Sequence, residues 1–311
     1  MMKKIKKEDF LDYLKNWGKI VEIEEGIDVK DLFLPKEEIY LVFHKKKDSV
    51  EQDEFRNIER KVVFNIPPCY AKSIELLDFN FLREPLDSFY KERRDSILVV
   101  VKACRNPHNF CFCTSLGNSP FDRKGDIFIF EKDGYYFAEP LTDRAKEVLA
   151  WDKYEDVSQD EFKEVELEKQ KVEKEIEKFD IVNLDKKLYS VFNDKIWKEL
   201  SFRCVNCGAC TFHCPVCYCF DIQDVDRTNW GYRERVWDSC MFSIYSYETS
   251  GHNPRAERHA RMRNRIMHKF AYYPVSYKEY QCVGCGKCVE VCPTGFDIRE
   301  ALLRLKEVVN E

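Results

Sequence analysis

Apolar residues fall into short runs over the first 150 positions and become sparser afterwards. Six runs stand out: IVEIE (20–24), IYLVF (39–43), KVVFNI (61–66), ILVVVKA (97–103), DIFIFEK (126–132) and YYFAE (135–139). They concentrate Val, Ile, Phe and Tyr, which fit a pleated, half-buried surface, so each predicts a strand. Asp133-Gly134 between the last two predicts a hairpin turn. Helices are expected over 7–16, 70–80, 86–94 and 142–151. Residues 1–152 therefore read as a mixed α/β domain.

The pattern changes at residue 153. Charge dominates YEDVSQDEFKEVELEKQKVEKEIEKFD (154–180), where Phe162, Val165, Val172, Ile176 and Phe179 fall at helical spacing. This predicts a solvated, amphipathic connecting helix. A second helical stretch, LDKKLYSVFNDKIWKELSF, leads directly to Cys204, so residues 153–200 read as a helical linker. The tail REALLRLKEVV predicts one more short helix. The expected class is α+β: the α/β domain, the linker, and at 201–311 a mostly helical two-cluster ferredoxin-like domain with a long insertion.

Composition narrows the function. The chain has 311 residues, is 44% hydrophobic and 34% charged, and carries a formal net charge of -5. That length suits two domains, and an acidic balance argues against nucleic acid as a partner. No apolar run approaches a membrane span. The N-terminal MMKKIKKEDFLDYLKNWG lacks the apolar core of a signal peptide. A cytoplasmic protein without membrane insertion is expected. Fifteen cysteines is a high count, and many are spaced too tightly for disulfide staples. They point to metal chemistry in a reducing, anaerobic setting.

Two motifs carry that chemistry. CVNCGACTFHCP places Cys204, Cys207, Cys210 and Cys214 at C-x2-C-x2-C-x3-C-P, and CVGCGKCVEVCP repeats the spacing with Cys282, Cys285, Cys288 and Cys292. This is the ligand run of a two-cluster bacterial ferredoxin. Two-residue spacers let one looping backbone aim three thiolates at three corners of a cube, while the fourth cysteine lies past that reach and serves the other cube. Cluster A is therefore assigned to Cys204, Cys207, Cys210 and Cys292, and cluster B to Cys282, Cys285, Cys288 and Cys214. Structural zinc sites more often use paired C-x2-C knuckles. The 67 residues between Cys214 and Cys282 form an insertion that must fold beside the clusters, which hold both its ends.

Cys104, Cys111 and Cys113 stand apart, and Cys69 is the other cysteine of the first 200 residues. If the strands 61–66 and 97–103 are neighbours in one sheet, Cys69 and Cys104 emerge at the same edge. A cubane, a zinc site and buried free thiols all remain compatible with this set.

Several stretches together resemble a known family. CGACTFHCPVCYCFDIQD, WDSCMF, GHNPR, MRNRIMHKF and CVGCGKCVEVCPTGFDI are similar to the iron–sulfur beta subunit of sulfhydrogenase-type cytoplasmic nickel–iron hydrogenases and to the corresponding iron–sulfur subunit of anaerobic sulfite reductase. The front half joins in through IPPCYAKSIELLD, DSFYKERRDSILVVV and CFCTSLGNSP, so the resemblance covers about residues 60 to 300. Tyr70 departs from it, standing where the family usually has Asp. The resemblance implies three [4Fe-4S] clusters, the third on Cys69, Cys104, Cys111 and Cys113. It also implies a hetero-oligomer in which this chain relays electrons between a flavin subunit linked to NAD(P)H or ferredoxin and a catalytic hydrogenase or reductase subunit. The alternative is a self-contained iron–sulfur reductase whose N-terminal cluster is open to substrate.

Three cysteines are left over. Cys217, Cys219 and Cys240 read as small buried hydrophobes or as a partial site. Arg255, Arg258, Arg261, Arg263, Arg265 and Lys269 form a basic stretch. It can be a solvated helix face, a set of cations raising the potential of nearby anionic clusters, or a dock for an acidic redox partner. His108, His213, His252, His259 and His268 are expected to be ordinary hydrogen-bonded side chains. Neither a dinucleotide fingerprint nor a P-loop is present, so no flavin or nicotinamide is expected on this chain.

Overall fold

The computed structural model describes residues 2–23, 28–47, 49–54 and 58–310. The last residue of the run 20–24 lies outside the described residues. In chain order the strands are β1 (Lys3–Lys6), β2 (Lys19–Glu22), β3 (Glu37–Lys45), β4 (Val50–Glu54), β5 (Lys61–Ile66) and β6 (Ile97–Lys102). They continue with β7 (Ile127–Lys132), β8 (Tyr135–Pro140), β9 (Glu155–Asp156), β10 (Phe220–Asp226) and β11 (Trp230–Trp237). The chain divides into two compact units that are not consecutive. One comprises Met1–Val29, Ile58–Lys178 and Val283–Cys285; the other comprises Lys30–Asn57, Phe179–Cys282 and Gly286–Glu311.

The first unit is built on a seven-stranded sheet, ordered β2-β5-β6-β7-β8-β1-β9. β2, β5, β6 and β7 pair in parallel, and β7/β8, β8/β1 and β1/β9 pair antiparallel. β6 reads ILVVVK because it is covered on both faces: its first five residues are all buried, as a central parallel strand should be. β7 and β8 meet through Asp133 and Gly134, both at positive φ, which is the turn that dipeptide favours. One face packs Ile5, Phe10, Leu14, Phe64, Val100 and Ile129 into a continuous core.

Residues 153–178 are part of this unit. The helix Gln159–Glu175 starts with a capping box at Ser158 and Glu161 and buries Val165 and Val172. Ion pairs fasten its sides: Glu161 to Lys4 at 2.7 Å, Glu164 to Lys132 and Glu168 to Arg105. The solvated connecting helix expected at 154–180 is therefore a packed element of the first unit. The expected boundaries 1–152, 153–200 and 201–311 differ from the compact units for this reason and one other. Residues 30–57 leave the N-terminal half to join the second unit.

That second departure involves a sheet. β10, β11, β3 and β4 form an antiparallel four-stranded sheet in the second unit. The run 39–43 is a strand, as its pattern predicts, but it pairs with β11 of the cysteine-rich insertion. The insertion's hairpin is not legible as strands in the sequence. FDIQDVD is mostly exposed and acidic, so it lacks the apolar alternation that marks a strand. Inside this sheet Arg235 and Glu38 form a buried ion pair. The domain expected to be mostly helical thus also contains a sheet. The stretch 184–202 is likewise not one helix: Leu184–Lys187 and Ile196–Ser201 are separated by turns.

Candidate metal centres

In the first unit, the parallel pairing of β5 and β6 puts their C-terminal ends at one edge, where open α/β sheets commonly place ligands. Cys69 lies three residues past β5, in the first turn of the helix Pro68–Phe81, which Pro68 starts. Cys104 lies two residues past β6, its N–H bonded to the Pro120 carbonyl at 2.9 Å. The chain then loops to Cys111 and to Cys113, which begins a 3-10 turn ending at Gly117. The four thiols lie within electrostatic reach of one another: Cys104, Cys111 and Cys113 each act on Cys69. Burial pushes the Cys69 thiol well up, with the three neighbouring sulfurs adding to it. For the same two reasons Cys104 rises to about 11 and Cys113 to about 12. The raised thiols of Cys69, Cys104 and Cys113 stay protonated until a cation takes the protons' place.

The segment Val283–Cys285 completes this loop region. The Phe112 N–H bonds to the Gly284 carbonyl at 2.8 Å. Gly284 has φ +66, and a Cβ there would sit 2.5 Å from Cys113 Cα. Only glycine allows this approach and this backbone angle.

In the second unit, Cys204, Cys207, Cys210 and Cys292 wall one pocket together with Arg265, Met241, Met262 and Phe296. These are the first three cysteines of one run and the last of the other. Gly208, at φ +76, turns the chain between Cys207 and Cys210, and a Cβ there would meet the Phe242 ring at 2.7 Å. Backbone N–H groups point at the sulfurs: Asn206 to Cys204 Sγ at 3.4 Å and Phe296 to Cys292 Sγ at 3.2 Å. Arg265 is buried, donates to the Cys210 carbonyl at 3.3 Å, and its Nε has no hydrogen-bond partner among the described residues. A buried guanidinium nitrogen without an acceptor, in a pocket lined by four thiols, fits an anionic sulfur-bearing group. Cys207 is exposed, so the pocket reaches the surface.

Cys214, Cys282 and Cys288 lie within electrostatic reach of Arg265 or Lys269. Lys269 Nζ is buried, 3.4 Å from Cys214 Sγ and 2.9 Å from the Gln281 carbonyl. Its pKa is raised, against its burial, by Cys214, Cys217 and Cys282. Arg265 is held charged in the same way by Cys210, Cys288, Cys217 and Cys214. Cys285 lies in the segment that packs with the first unit.

Part of the basic stretch thus serves the interior. The helix Arg258–Met267 continues through a π-helical turn, His268–Tyr272. Arg258 donates to the Cys204 carbonyl and Arg261 to the carbonyls of Arg255 and Ala256; Arg263 lies over the Phe192 ring. Arg261, Arg265 and Lys269 are buried. A solvated face is one expectation for such a stretch; Arg258 is exposed, whereas Arg261, Arg265 and Lys269, four residues apart, share the buried side. His268 is half-buried, edge-on to Tyr218 and Tyr273. Tyr245, which acts on the Cys219 sulfur, carries no signal in the sequence.

The cysteine-rich region has counterparts among known proteins. A family described as a 4Fe-4S dicluster domain matches residues 203–296. Over 296 residues the chain is 29% identical to Sulfhydrogenase 2 subunit beta of Pyrococcus furiosus, covering 91% of this chain and 86% of that protein. No solved structure matches. Among the described residues no helix is long and apolar enough to cross a membrane.

Proposed function

We propose that this chain, an iron–sulfur protein of the sulfhydrogenase beta-subunit kind, relays single electrons through three [4Fe-4S] clusters within a hetero-oligomer. Cys204, Cys207, Cys210 and Cys292 hold cluster A; Cys214, Cys282, Cys285 and Cys288 hold cluster B; Cys69, Cys104, Cys111 and Cys113 hold the third. One terminus of the path is a flavin subunit linked to NAD(P)H or ferredoxin, and the other is a catalytic hydrogenase or reductase subunit. Each cluster supplies one-electron chemistry; the chain supplies thiolates, amide donors and buried cations. The observation that carries this reading is the four-thiol pocket with the unpartnered Arg265 Nε in its wall.

The relay makes a clear prediction about the isolated chain. Loaded with iron and sulfide under anaerobic conditions, it should take electrons from dithionite and pass them to a one-electron viologen dye, while turning over neither hydrogen nor sulfite. Hydrogen oxidation or sulfite reduction by the chain alone would overturn the relay.

Lys269 sets a second expectation. A unit charge about 5 Å away at an effective dielectric of about 20 is worth about 3 kcal/mol. For a one-electron couple that is on the order of 0.1 V. Lys269→Met should therefore lower the potential of cluster B by that order in an EPR-monitored redox titration, with the other clusters moving less. An unchanged potential would remove Lys269 from any tuning role.

A second reading has one observation behind it. A cleft of about 950 Å³ opens beside Cys104, with Lys102, Arg105, Glu131, Glu168 and Lys171 among its walls. A small substrate there would meet a cluster on Cys104, as a self-contained reductase requires. The same turnover assay separates the two readings.

A further inference from the structure

Two cysteines outside the three ligand sets meet at the open end of the β10–β11 hairpin. The ladder's last register pair is Phe220 and Trp237. Just beyond it the Asp238 N–H bonds to the Cys219 carbonyl at 2.9 Å. Two residues further is Cys240, whose side chain interacts with the Cys219 sulfur. Tyr245 also acts on that sulfur. Two neighbouring thiols can share one proton, which favours one of them as the thiolate. Accordingly Cys219 is held below the usual thiol range, first by the Cys240 thiol, while Cys240 keeps its proton and moves up. Cys217 differs, because its thiol is bonded to Cys214, an assigned cluster ligand.

The pair sits on a turn that supports cluster A. Ser239 Oγ lies 2.7 Å from Thr211 Oγ1 and accepts the Met241 N–H at 3.1 Å. Phe242, on the same turn, packs against Gly208. Cys240 is therefore fixed to the loop that carries Cys207 and Cys210.

We propose that Cys219 and Cys240 are a redox-active dithiol, Cys219 attacking and Cys240 resolving, which takes a small external disulfide as its oxidant. The Cys219 thiolate attacks one sulfur of the external disulfide, forming a mixed disulfide and expelling one thiolate. The Cys240 thiol then loses its proton and attacks Cys219 Sγ, forming the Cys219–Cys240 disulfide and expelling the second thiolate. Two protein thiols are oxidised and one external disulfide is reduced to two thiols. The closed form braces the hairpin's base against the turn under Gly208. None of this depends on the relay.

The test uses the full chain, purified anaerobically with its metal, and 2,2′-dithiodipyridine as the external disulfide. After alkylation of free thiols, peptide mass spectrometry should find a Cys219–Cys240 link that dithiothreitol reverses, with iron per chain unchanged. In Cys240→Ser, Cys219 should retain a stable pyridinethiol adduct, because no resolving thiol remains. In Cys219→Ser, modification of Cys240 should be slower by about tenfold or more, since its thiol is buried and protonated. No linked peptide in the unaltered chain, or a link that forms only after iron is lost, would overturn the proposal whatever the variants do.

Discussion

Replacing Cys104 with serine should take about four of about twelve irons from the chain, and leave about eight. The reason is the geometry at the C-terminal edge of β5 and β6, where Cys104 lies among Cys69, Cys111 and Cys113. Serine offers a hydroxyl whose oxygen is a poor ligand for iron, and burial pushes the Cys69 and Cys113 thiols up, which disfavours their ionisation without the metal. Iron and acid-labile sulfide per chain are the direct measurement. The pocket of Cys204, Cys207, Cys210 and Cys292 belongs to the other compact unit, so the EPR signals of the dicluster domain should survive. A chain that holds about eight irons before the substitution and about eight after it has no N-terminal cluster.

Gly284→Ala should be more damaging than its single methyl group implies. Alanine at φ +66 costs about 1–2 kcal/mol from backbone sterics alone. The new Cβ would also lie 2.5 Å from both Cys113 N and Cys113 Cα and 2.7 Å from Phe112 C. These are backbone atoms, which cannot swing aside as a flexible side chain would. The hydrogen bond from Phe112 N to the Gly284 carbonyl must stretch or break. A loss on the order of 3 kcal/mol follows. Because Gly284 stands between Cys282 and Cys285 in the chain and against Cys113 in the fold, iron should fall below about eight per chain. Gly134→Ala is the matched comparison: φ is +83 but nothing lies within 4 Å of the added Cβ. It should show the backbone penalty only, a loss of about 1–2 kcal/mol of stability read from thermal unfolding, with iron unchanged. Equal iron loss in the two variants would mean that the close approach at Gly284 is unimportant.

Some of the fold could be read residue by residue. ILVVVKA declares a strand buried on both faces, and β6 is one. Asp133-Gly134 declares its hairpin. Other elements hid for physical reasons. β10 carries Asp at 221, 224 and 226 on a mostly exposed strand; sheet pairing, not an apolar stripe, holds it in place. The stretch 154–180 reads as solvated because its ion pairs, such as Glu161 with Lys4, are long-range. IYLVF is legible as a strand, yet its membership in the second unit depends on β11, about 190 residues later.

The cysteine spacing alone determined the two ferredoxin-type runs, and with them the dicluster domain, because two-residue spacers and the following Cys-Pro are properties of a local loop. Tertiary structure decided the rest. Cys69 meets Cys104 only because β5 and β6 pair in parallel. Arg265 and Lys269 turn inward only because that face of their helix has thiols to answer. Cys219 finds Cys240 only because a hairpin closes between them. Ligand spacing is written into neighbouring residues, whereas which thiol or cation lies opposite which depends on chain segments that come together only in the folded state.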